Sequence, residues 1–249
     1  MSIKHKLRMF FWKLGYDVTK FSPESNPIAL RKQLLVDYEI DTVLDVGANS
    51  GQFARTLRSN LGYKGRILSF EPLSSAFSLL QKNARNIAGW ETFNFALGNE
   101  DAMREINIAG NSDSSSLLEM LSSHVQLAPE SAYVGRENIE VRKLDSVYPT
   151  LCAASRNVYL KIDTQGFEQQ VLNGAERSLA NIDTVQMEMS LVQLYQGEPL
   201  FYTMSELMYT LGYELVSMEP SFSDKKSGRL LQIDGVFHRF SPGGVGSLL

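Results

Sequence analysis

The amino-acid sequence predicts an α/β protein whose mostly parallel sheet is covered by helices on both faces. Three observations support this class. Short apolar runs alternate with longer amphipathic stretches from residue 42 onward. The 249 residues are 43% apolar and 21% charged, which is enough apolar material for a sizeable core. The last two predicted strands are joined by a polar loop too short for a crossover helix, so one strand should run antiparallel to the rest.

The predicted elements follow in order along the chain. A break at residues 22–27 precedes a predicted helix over residues 31–39. The predicted strands cover residues 42–46, 66–70, 91–96, 158–162, 184–189, 213–218 and 232–237. The predicted helices among them cover residues 53–61, 74–86, 168–178 and 204–211. Residues 99–147 form an insertion, in which two short strands at 104–108 and 139–144 flank a long polar stretch.

Composition and charge exclude several classes of protein. The net charge is −4 and the isoelectric point is near 5.5, which argues against bulk nucleic-acid binding. Cys152 is the only cysteine, so the cysteine content gives no sign of secretion. No apolar run approaches the roughly 18–20 residues of a membrane span. We therefore expect a cytoplasmic protein that binds no nucleic acid.

The first twenty residues carry a net positive charge, unlike the rest of the chain. Five basic residues stand against Asp17 alone, which gives +4 there and leaves −8 for the rest of the chain. Two interpretations of this stretch stay open: an amphipathic helix packed on the domain, or a basic helix lying on an anionic membrane. The first is the commoner arrangement. We expect a helical extension over residues 1–40 and one domain over residues 41–249.

Two motifs at the first strand ends indicate a ligand site. Gly47 and Gly51 lie in the turn after the first strand, where glycine lets the backbone approach a ligand closely. Asn49 stands where the dinucleotide fingerprint requires glycine, and Asp45 would suit an amino group better than a pyrophosphate. Glu71 ends the second strand about 20 residues later, where a carboxylate can accept hydrogen bonds from ribose hydroxyls.

These motifs give the sequence a resemblance to the class I S-adenosylmethionine-dependent methyltransferases and, within them, to the FkbM-type family. The stretches that carry it are residues 45–53, 70–72, 95–99 and 160–168. The last of these, K-I-D-x-x-G-x-E, is the more family-specific, and Gln165 replaces the acidic residue usual before its glycine. The resemblance implies a Rossmann-like, doubly wound, seven-stranded sheet with the cofactor above the carboxyl ends of the first strands.

The same resemblance implies that S-adenosylmethionine is the cofactor. The residues implied to bind it are Asp45, Gly47, Asn49, Gly51, Glu71, Ala96 and Leu97. The glycine turn would border its methionine part, and Asp45 would hold its amino end. Glu71 would accept hydrogen bonds from the ribose hydroxyls, and the backbone at residues 96–97 would border the adenine.

Carboxylates at two further strand ends are candidate catalytic groups. Asp163 and Glu188 lie at neighbouring strand ends, where the methyl acceptor is expected. Two uses stay open for them: a carboxylate can remove a proton from an alcohol acceptor, or bind a divalent metal that acidifies the acceptor hydroxyl. For Glu168 a structural role is an equally good explanation, because a carboxylate in the first turn of a helix is stabilised by the helix dipole.

The insertion and one later loop offer further candidates. The serine-rich residues 111–118 could bond a polar acceptor, or could form a solvated loop that caps a following helix through Asp113 or Ser114. His124 is a candidate base or acceptor contact, although a lone histidine is more often structural. Residues 195–198 could line the acceptor site or simply form a turn.

The sequence supports three hypotheses. The first is a methyltransferase that acts on an oxygen of a sugar, glycan precursor or other small polar metabolite. The second is a non-catalytic module that binds S-adenosylmethionine. The third, a nicotinamide-dependent oxidoreductase, is disfavoured because the only Tyr-x-x-x-Lys spacing runs from Tyr16 to Lys20, upstream of the first strand. The acceptor, the need for a metal and the oligomeric state stay open.

Overall fold

The computed structural model describes residues 3–240. Residues 1–2 of the predicted extension and residues 241–249 of the predicted domain lie outside the described residues. The chain forms two compact units, residues 1–39 and residues 40–249. None of the helices in the described part of the chain is long and apolar enough to cross a membrane.

The first unit contains two helices, α1 (Ile3–Lys13) and α2 (Pro27–Asp37). Asn26 caps α2, because its side chain accepts a hydrogen bond from a backbone N–H of the first turn. The helix predicted over residues 31–39 therefore begins four residues earlier. Pro27, the last residue of the predicted break, occupies the first helical position, where its fixed φ fits and its missing N–H costs nothing.

The second unit is built on a seven-stranded sheet. Its strands in chain order, together with those of a smaller sheet, are β1 (Thr42–Val46), β2 (Arg66–Phe70), β3 (Trp90–Phe93), β4 (Ala96–Leu97), β5 (Ala102–Ala109), β6 (Tyr133–Arg142), β7 (Val158–Ile162), β8 (Thr184–Ser190), β9 (Glu214–Ser223) and β10 (Leu230–His238). The large sheet has the order β3-β2-β1-β7-β8-β10-β9. Among the described strands of this sheet, β10 alone runs in the direction opposite to the other six, which confirms the predicted fold class.

Helices surround this sheet. They are α3 (Gln52–Arg55), which continues as a π-helical turn over Thr56–Asn60, α4 (Ser74–Ala84), α5 (Ser122–Leu127), α6 (Leu144–Leu151), α7 (Glu168–Asn173) and α8 (Phe201–Thr210). Every residue of β1, β7 and β8 is buried. Successive side chains of a strand point to opposite faces, so both faces of the sheet are covered. The main core contains Leu160 of β7, Val171 of α7 and Met208 of α8.

The smaller sheet has the order β4-β6-β5. Its first strand, β4, contains the end of a strand that was wrongly predicted to be continuous. The strand predicted over residues 91–96 is divided, because the chain turns at Asn94 and enters the smaller sheet as β4. The Asn94 amide stabilises this turn by donating hydrogen bonds to the backbone oxygens of Glu71 and Pro72, both at 2.9 Å. The turn places residues 96–97 beside the ends of β1 and β2.

The two strands predicted within the insertion are present as β5 and β6, which pair antiparallel. Two details were wrong. Leu144 begins α6 rather than ending a strand, and Asp101 accepts hydrogen bonds from the Lys143 backbone and the Ser146 hydroxyl at this helix start. Residues 111–118 cap no helix, because α5 begins only at Ser122.

Candidate active site

A pocket lies at the carboxyl ends of β1, β2 and β7. The strand ends form one side. The other side is formed by the insertion loop, defined here as residues 111–118, of which Ser112, Asp113, Ser115, Ser116 and Leu117 line the pocket. The pocket is thus where an open α/β sheet is expected to bind a ligand.

The structure places the seven predicted cofactor-binding residues in two groups. Those that line the pocket are Gly47, Asn49, Glu71, Ala96 and Leu97. Asp45 and Gly51 are not among the pocket residues: Asp45 is fully buried, and Gly51 packs against Trp90 and Leu80. The sequence pattern therefore locates the turn correctly but does not distinguish residues that face the pocket from those that support it.

The two glycines of the first turn are required by the protein's own backbone. Gly47 has a φ of +75°, and a Cβ built on it would overlap the backbone carbonyl oxygen of Asp163. Gly51 has a φ of +85°, and its Cβ would lie 2.7 Å from the Trp90 ring. Because Gly47 allows the end of β1 to touch the end of β7, it shapes the floor of the pocket.

Glu71 connects the first two strand ends. Its Oε2 accepts a hydrogen bond from the Asn49 backbone at 2.8 Å, and its Oε1 accepts one from the Leu73 backbone at 2.9 Å. Burial raises the pKa of Glu71 to about 7, although these two bonds oppose the shift. Each carboxylate oxygen can accept a second hydrogen bond, so Glu71 keeps capacity for hydroxyl groups of a ligand.

A row of charges runs from the buried Asp45 and Lys161 to Asp163 at the pocket. The Nζ atom of Lys161 is 3.5 Å from Asp45 Oδ1 and 3.2 Å from Asp163 Oδ2. Burial lowers the pKa of Lys161, but the two carboxylates outweigh burial and the pKa is raised overall. Burial raises the pKa of Asp45, whose Oδ1 has the Lys161 charge nearby but makes no hydrogen bond within the described chain. Lys161 was missed as a functional candidate, although it begins the K-I-D block.

Only one of the three predicted catalytic residues lines the pocket. Asp163 does so, and its side chain is 35% exposed. Glu188 is buried outside the pocket lining, and its two oxygens accept hydrogen bonds from Ser221, Gln165 and Gln232. Burial, followed by the charge of Asp163, raises the pKa of Glu188 well above its usual value. Glu188 therefore belongs to a supporting network.

His124 also lies outside the pocket lining. It is 3% exposed, and its ring meets the Tyr195 ring edge-on, with 5.2 Å between centroids. Burial lowers the pKa of His124, which favours a neutral imidazole. Its Nδ1 atom has no hydrogen-bond partner within the described residues. Residues 195–198 do not line the pocket either, so His124 and Tyr195 pack against each other outside the pocket lining.

Gln165 joins the two predicted catalytic carboxylates. Its side-chain amide donates hydrogen bonds to Asp163 Oδ1 and Glu188 Oε2, both at 2.9 Å. Its Oε1 lies 2.9 Å from the Tyr195 hydroxyl, which can donate to it. A glutamate here would place a third negative charge between two carboxylates, whereas the amide can donate to both. This arrangement gives a physical reason for the departure from the family pattern at position 165.

The insertion loop is held to the strand ends on both sides. On one side, the Asn49 amide donates to the Ser112 hydroxyl at 3.0 Å. On the other, the Ser116 hydroxyl donates to the backbone oxygen of Gln165 at 2.7 Å. The loop therefore covers the pocket in a defined position. In the described part of the chain, no group of three or more His, Cys, Asp or Glu residues is arranged to hold a metal ion.

The buried Glu168 predicts a pH-dependent stability. Its Oε1 accepts hydrogen bonds from the Thr164 backbone at 2.8 Å and hydroxyl at 3.1 Å, and burial raises its pKa to about 7. A raised carboxyl pKa favours the folded state at low pH, and this advantage is lost as the pH rises from about 4.5 through 7. The free energy of unfolding of Glu168→Gln, measured relative to that of the wild type, should therefore rise by on the order of 2 kcal/mol between pH 5 and pH 8.

Urea unfolding of both proteins at several pH values measures this difference. The variant Glu214→Gln, at an exposed position, is the control and should show no such gain. A difference between Glu168→Gln and wild type that stays constant with pH would contradict the assignment.

The fold and the pocket together define a Rossmann-like α/β domain with a ligand site at its strand ends. A profile of the family described as Methyltransferase FkbM domain matches residues 45–215. This is more than half of the chain, and the chain belongs to the FkbM methyltransferase family. The resemblance seen in the sequence is thereby confirmed, and the methyltransferase hypothesis is favoured over the oxidoreductase.

The solved structures that match this chain share little sequence with it. An FkbM methyltransferase from Methylobacillus flagellatus KT is 14% identical, with a TM-score of 0.49; the match covers 79% of this chain and 44% of that one. This chain thus spans less than half of that protein's length. A putative RNA methyltransferase from Pyrococcus horikoshii is 13% identical, with a TM-score of 0.48 and coverage of 86% and 82%. No curated protein matches this chain.

Proposed function

We propose that residues 41–249 form an S-adenosylmethionine-dependent methyltransferase domain that methylates an oxygen of a small polar acceptor, such as a sugar or glycan precursor. One observation carries the proposal. In a chain of the FkbM methyltransferase family, Glu71 and Asp163 line one pocket at the ends of β2 and β7, the two parallel strands on either side of β1. The sugar acceptor rests on the resemblance noted above and on the polar groups of the insertion loop.

The pocket residues fit this cofactor. Glu71, Asp113 and Asp163 make the lining acidic, which favours a ligand that carries positive charge. Phe70, Leu97 and other apolar side chains offer a surface for an aromatic base. When bound, S-adenosylmethionine would supply a methyl group activated by attachment to a sulfonium.

The residues of this chain have distinct roles in the proposal. Glu71 holds ribose hydroxyls with its remaining acceptor capacity, and the turn at Gly47 and Asn49 borders the methionine part. Asp45 is fully buried, so we assign it a positioning role through Lys161. Asp163 accepts the hydrogen bond of the acceptor hydroxyl and takes its proton. Glu188 and His124 act indirectly, by supporting the residues that contact Asp163 and the insertion loop.

Calorimetric titration of the full chain with S-adenosylmethionine, without added metal, tests the proposed cofactor. We expect saturable binding at one site per chain. Leu117→Trp, which adds a large ring at a pocket-lining position, should weaken this binding by at least tenfold. The control Met103→Trp changes an exposed position on β5 and should bind as the wild type does. Absence of saturable binding to folded wild-type protein would contradict the proposal.

A non-catalytic module that binds S-adenosylmethionine is the second candidate. It is favoured by one observation: Glu188 and His124, two of the three predicted catalytic residues, do not line the pocket. Incubation with methyl-labelled cofactor and a panel of sugars separates the two. Transfer of label that depends on Asp163 supports the enzyme, whereas binding without transfer to any acceptor supports the module.

A further inference from the structure

The N-terminal unit carries an exposed apolar stripe. It consists of Leu7, Phe10 and Leu14, which are 55%, 56% and 56% exposed and lie on one side of α1 and its first following turn. The spacing of three and four residues is that of one helix face.

The rest of the segment adds apolar surface and positive charge. Tyr16, Val18 and Phe21 are also exposed, at 68%, 48% and 59%. Lys6 and Lys13, both exposed, lie four residues before and three residues after Phe10 and therefore flank the stripe. Isolated exposed apolar residues are ordinary, but a continuous set beside cations marks an interaction surface.

The segment is held together by its own contacts. Arg8 forms an ion pair with Asp17 at 2.8 Å, and the Trp12 indole N–H donates to the same carboxylate at 2.7 Å. The Arg8 guanidinium also lies over the Trp12 ring, 5.0 Å from its centroid. These contacts hold Asp17 against Arg8 and Trp12, which lie on the side of α1 away from Leu7 and Phe10.

We propose that residues 5–21 bind the surface of a membrane that contains anionic lipids. The apolar stripe would enter the boundary between headgroups and acyl chains, and Lys6 and Lys13 would contact lipid phosphates. The eleven residues of α1 are too few to span a bilayer, so the helix lies in the plane of the surface. The remainder of the chain, with its charge of −8, would be repelled by the same surface. The proposal is independent of the catalytic activity.

Co-sedimentation of the full chain with vesicles tests this proposal. We expect binding to vesicles of phosphatidylcholine with phosphatidylglycerol and little binding to phosphatidylcholine alone. Binding should weaken at high salt, because salt screens the attraction of lysines to lipid phosphates. The combined variant Leu7→Ser, Phe10→Ser and Leu14→Ser should lose at least tenfold in affinity. All three positions are exposed, so its circular dichroism and thermal unfolding should match the wild type.

A matched variant controls for the loss of exposed apolar surface in general. Val134→Ser, Tyr202→Ser and Tyr209→Ser combined removes three exposed side chains of the second unit and should bind vesicles as the wild type does. Equal binding by both combined variants would overturn the proposal, as would an absence of vesicle binding by the wild type. Concentration-dependent dimerisation that the stripe variant abolishes, without vesicle binding, would show instead that a second copy covers the stripe.

Discussion

Replacing Asp163 with asparagine should lower kcat for methyl transfer by about 10²- to 10⁴-fold, the usual contribution of a positioned acid or base. Asp163 is the one predicted catalytic residue that lines the pocket, and its side chain is partly exposed there. Asparagine keeps the shape and can still accept a hydrogen bond from Lys161, but it cannot take a proton from an acceptor hydroxyl. Affinity for S-adenosylmethionine should stay within a few-fold of the wild type. Initial rates and calorimetric titration measure the two quantities separately.

Asp113→Asn is the matched control for this prediction. Asp113 lines the same pocket, but its only side-chain partner in the described chain is the Gln52 amide, at 3.4 Å. We expect less than a tenfold loss of kcat in this variant. If Asp163→Asn keeps a kcat within threefold of the wild type, Asp163 is not the proton acceptor.

Gly47→Ala is expected to cost about 3 kcal/mol or more of folding stability and to abolish cofactor binding. Two effects add at this position. Alanine is strained at a φ of +75°, and its Cβ would overlap the carbonyl oxygen of Asp163. Relief of the overlap requires the ends of β1 and β7 to separate, which opens the floor of the pocket. Urea unfolding and calorimetric titration of the variant measure the two losses.

The control variant Gly62→Ala distinguishes the cost of backbone strain from the cost of atomic overlap. Gly62 has a φ of +70°, but no atom beyond its chain neighbours lies within 4 Å of a Cβ built on it. The expected cost is about 1 kcal/mol from strain alone, with cofactor binding unchanged. Equal stability losses in the two variants would mean that the contact between Gly47 and Asp163 does not constrain the pocket.

Much of the fold could be predicted from the sequence because it follows from local pattern. The buried strands β1, β2 and β7 lie over residues 42–46, 66–70 and 158–162, as their apolar runs predict. The exceptions were decided by single side-chain contacts. Asn94 ends β3 by bonding to the backbone of another strand end, and Asp101 fixes the start of α6 from 42 residues away. Periodicity carries no information about such contacts.

The candidate site was predictable only in part, for a related reason. Strand ends were located correctly, so Glu71 and Asp163 could be assigned to one pocket. The sequence does not distinguish a strand-end carboxylate that faces a ligand from one that accepts hydrogen bonds from protein amides. Glu188 is of the second kind, because it accepts hydrogen bonds from Gln165 and Gln232. Lys161 was missed because a single lysine in an apolar strand gives no sign of the two carboxylates beside it.

The attachment of the insertion loop has a kinetic consequence. Hydrogen bonds tie Ser112 to the turn after β1 and Ser116 to the turn after β7, so the loop spans the pocket from one strand end to the other. If a ligand enters beneath this loop, at least one of these two hydrogen bonds has to break first. The rate of loop opening would then set the upper limit of the observed binding rate at high ligand concentration, and the ligand would dissociate more slowly. If the proposed methyltransferase activity holds and the loop opens slowly, release of the demethylated cofactor rather than methyl transfer would limit kcat.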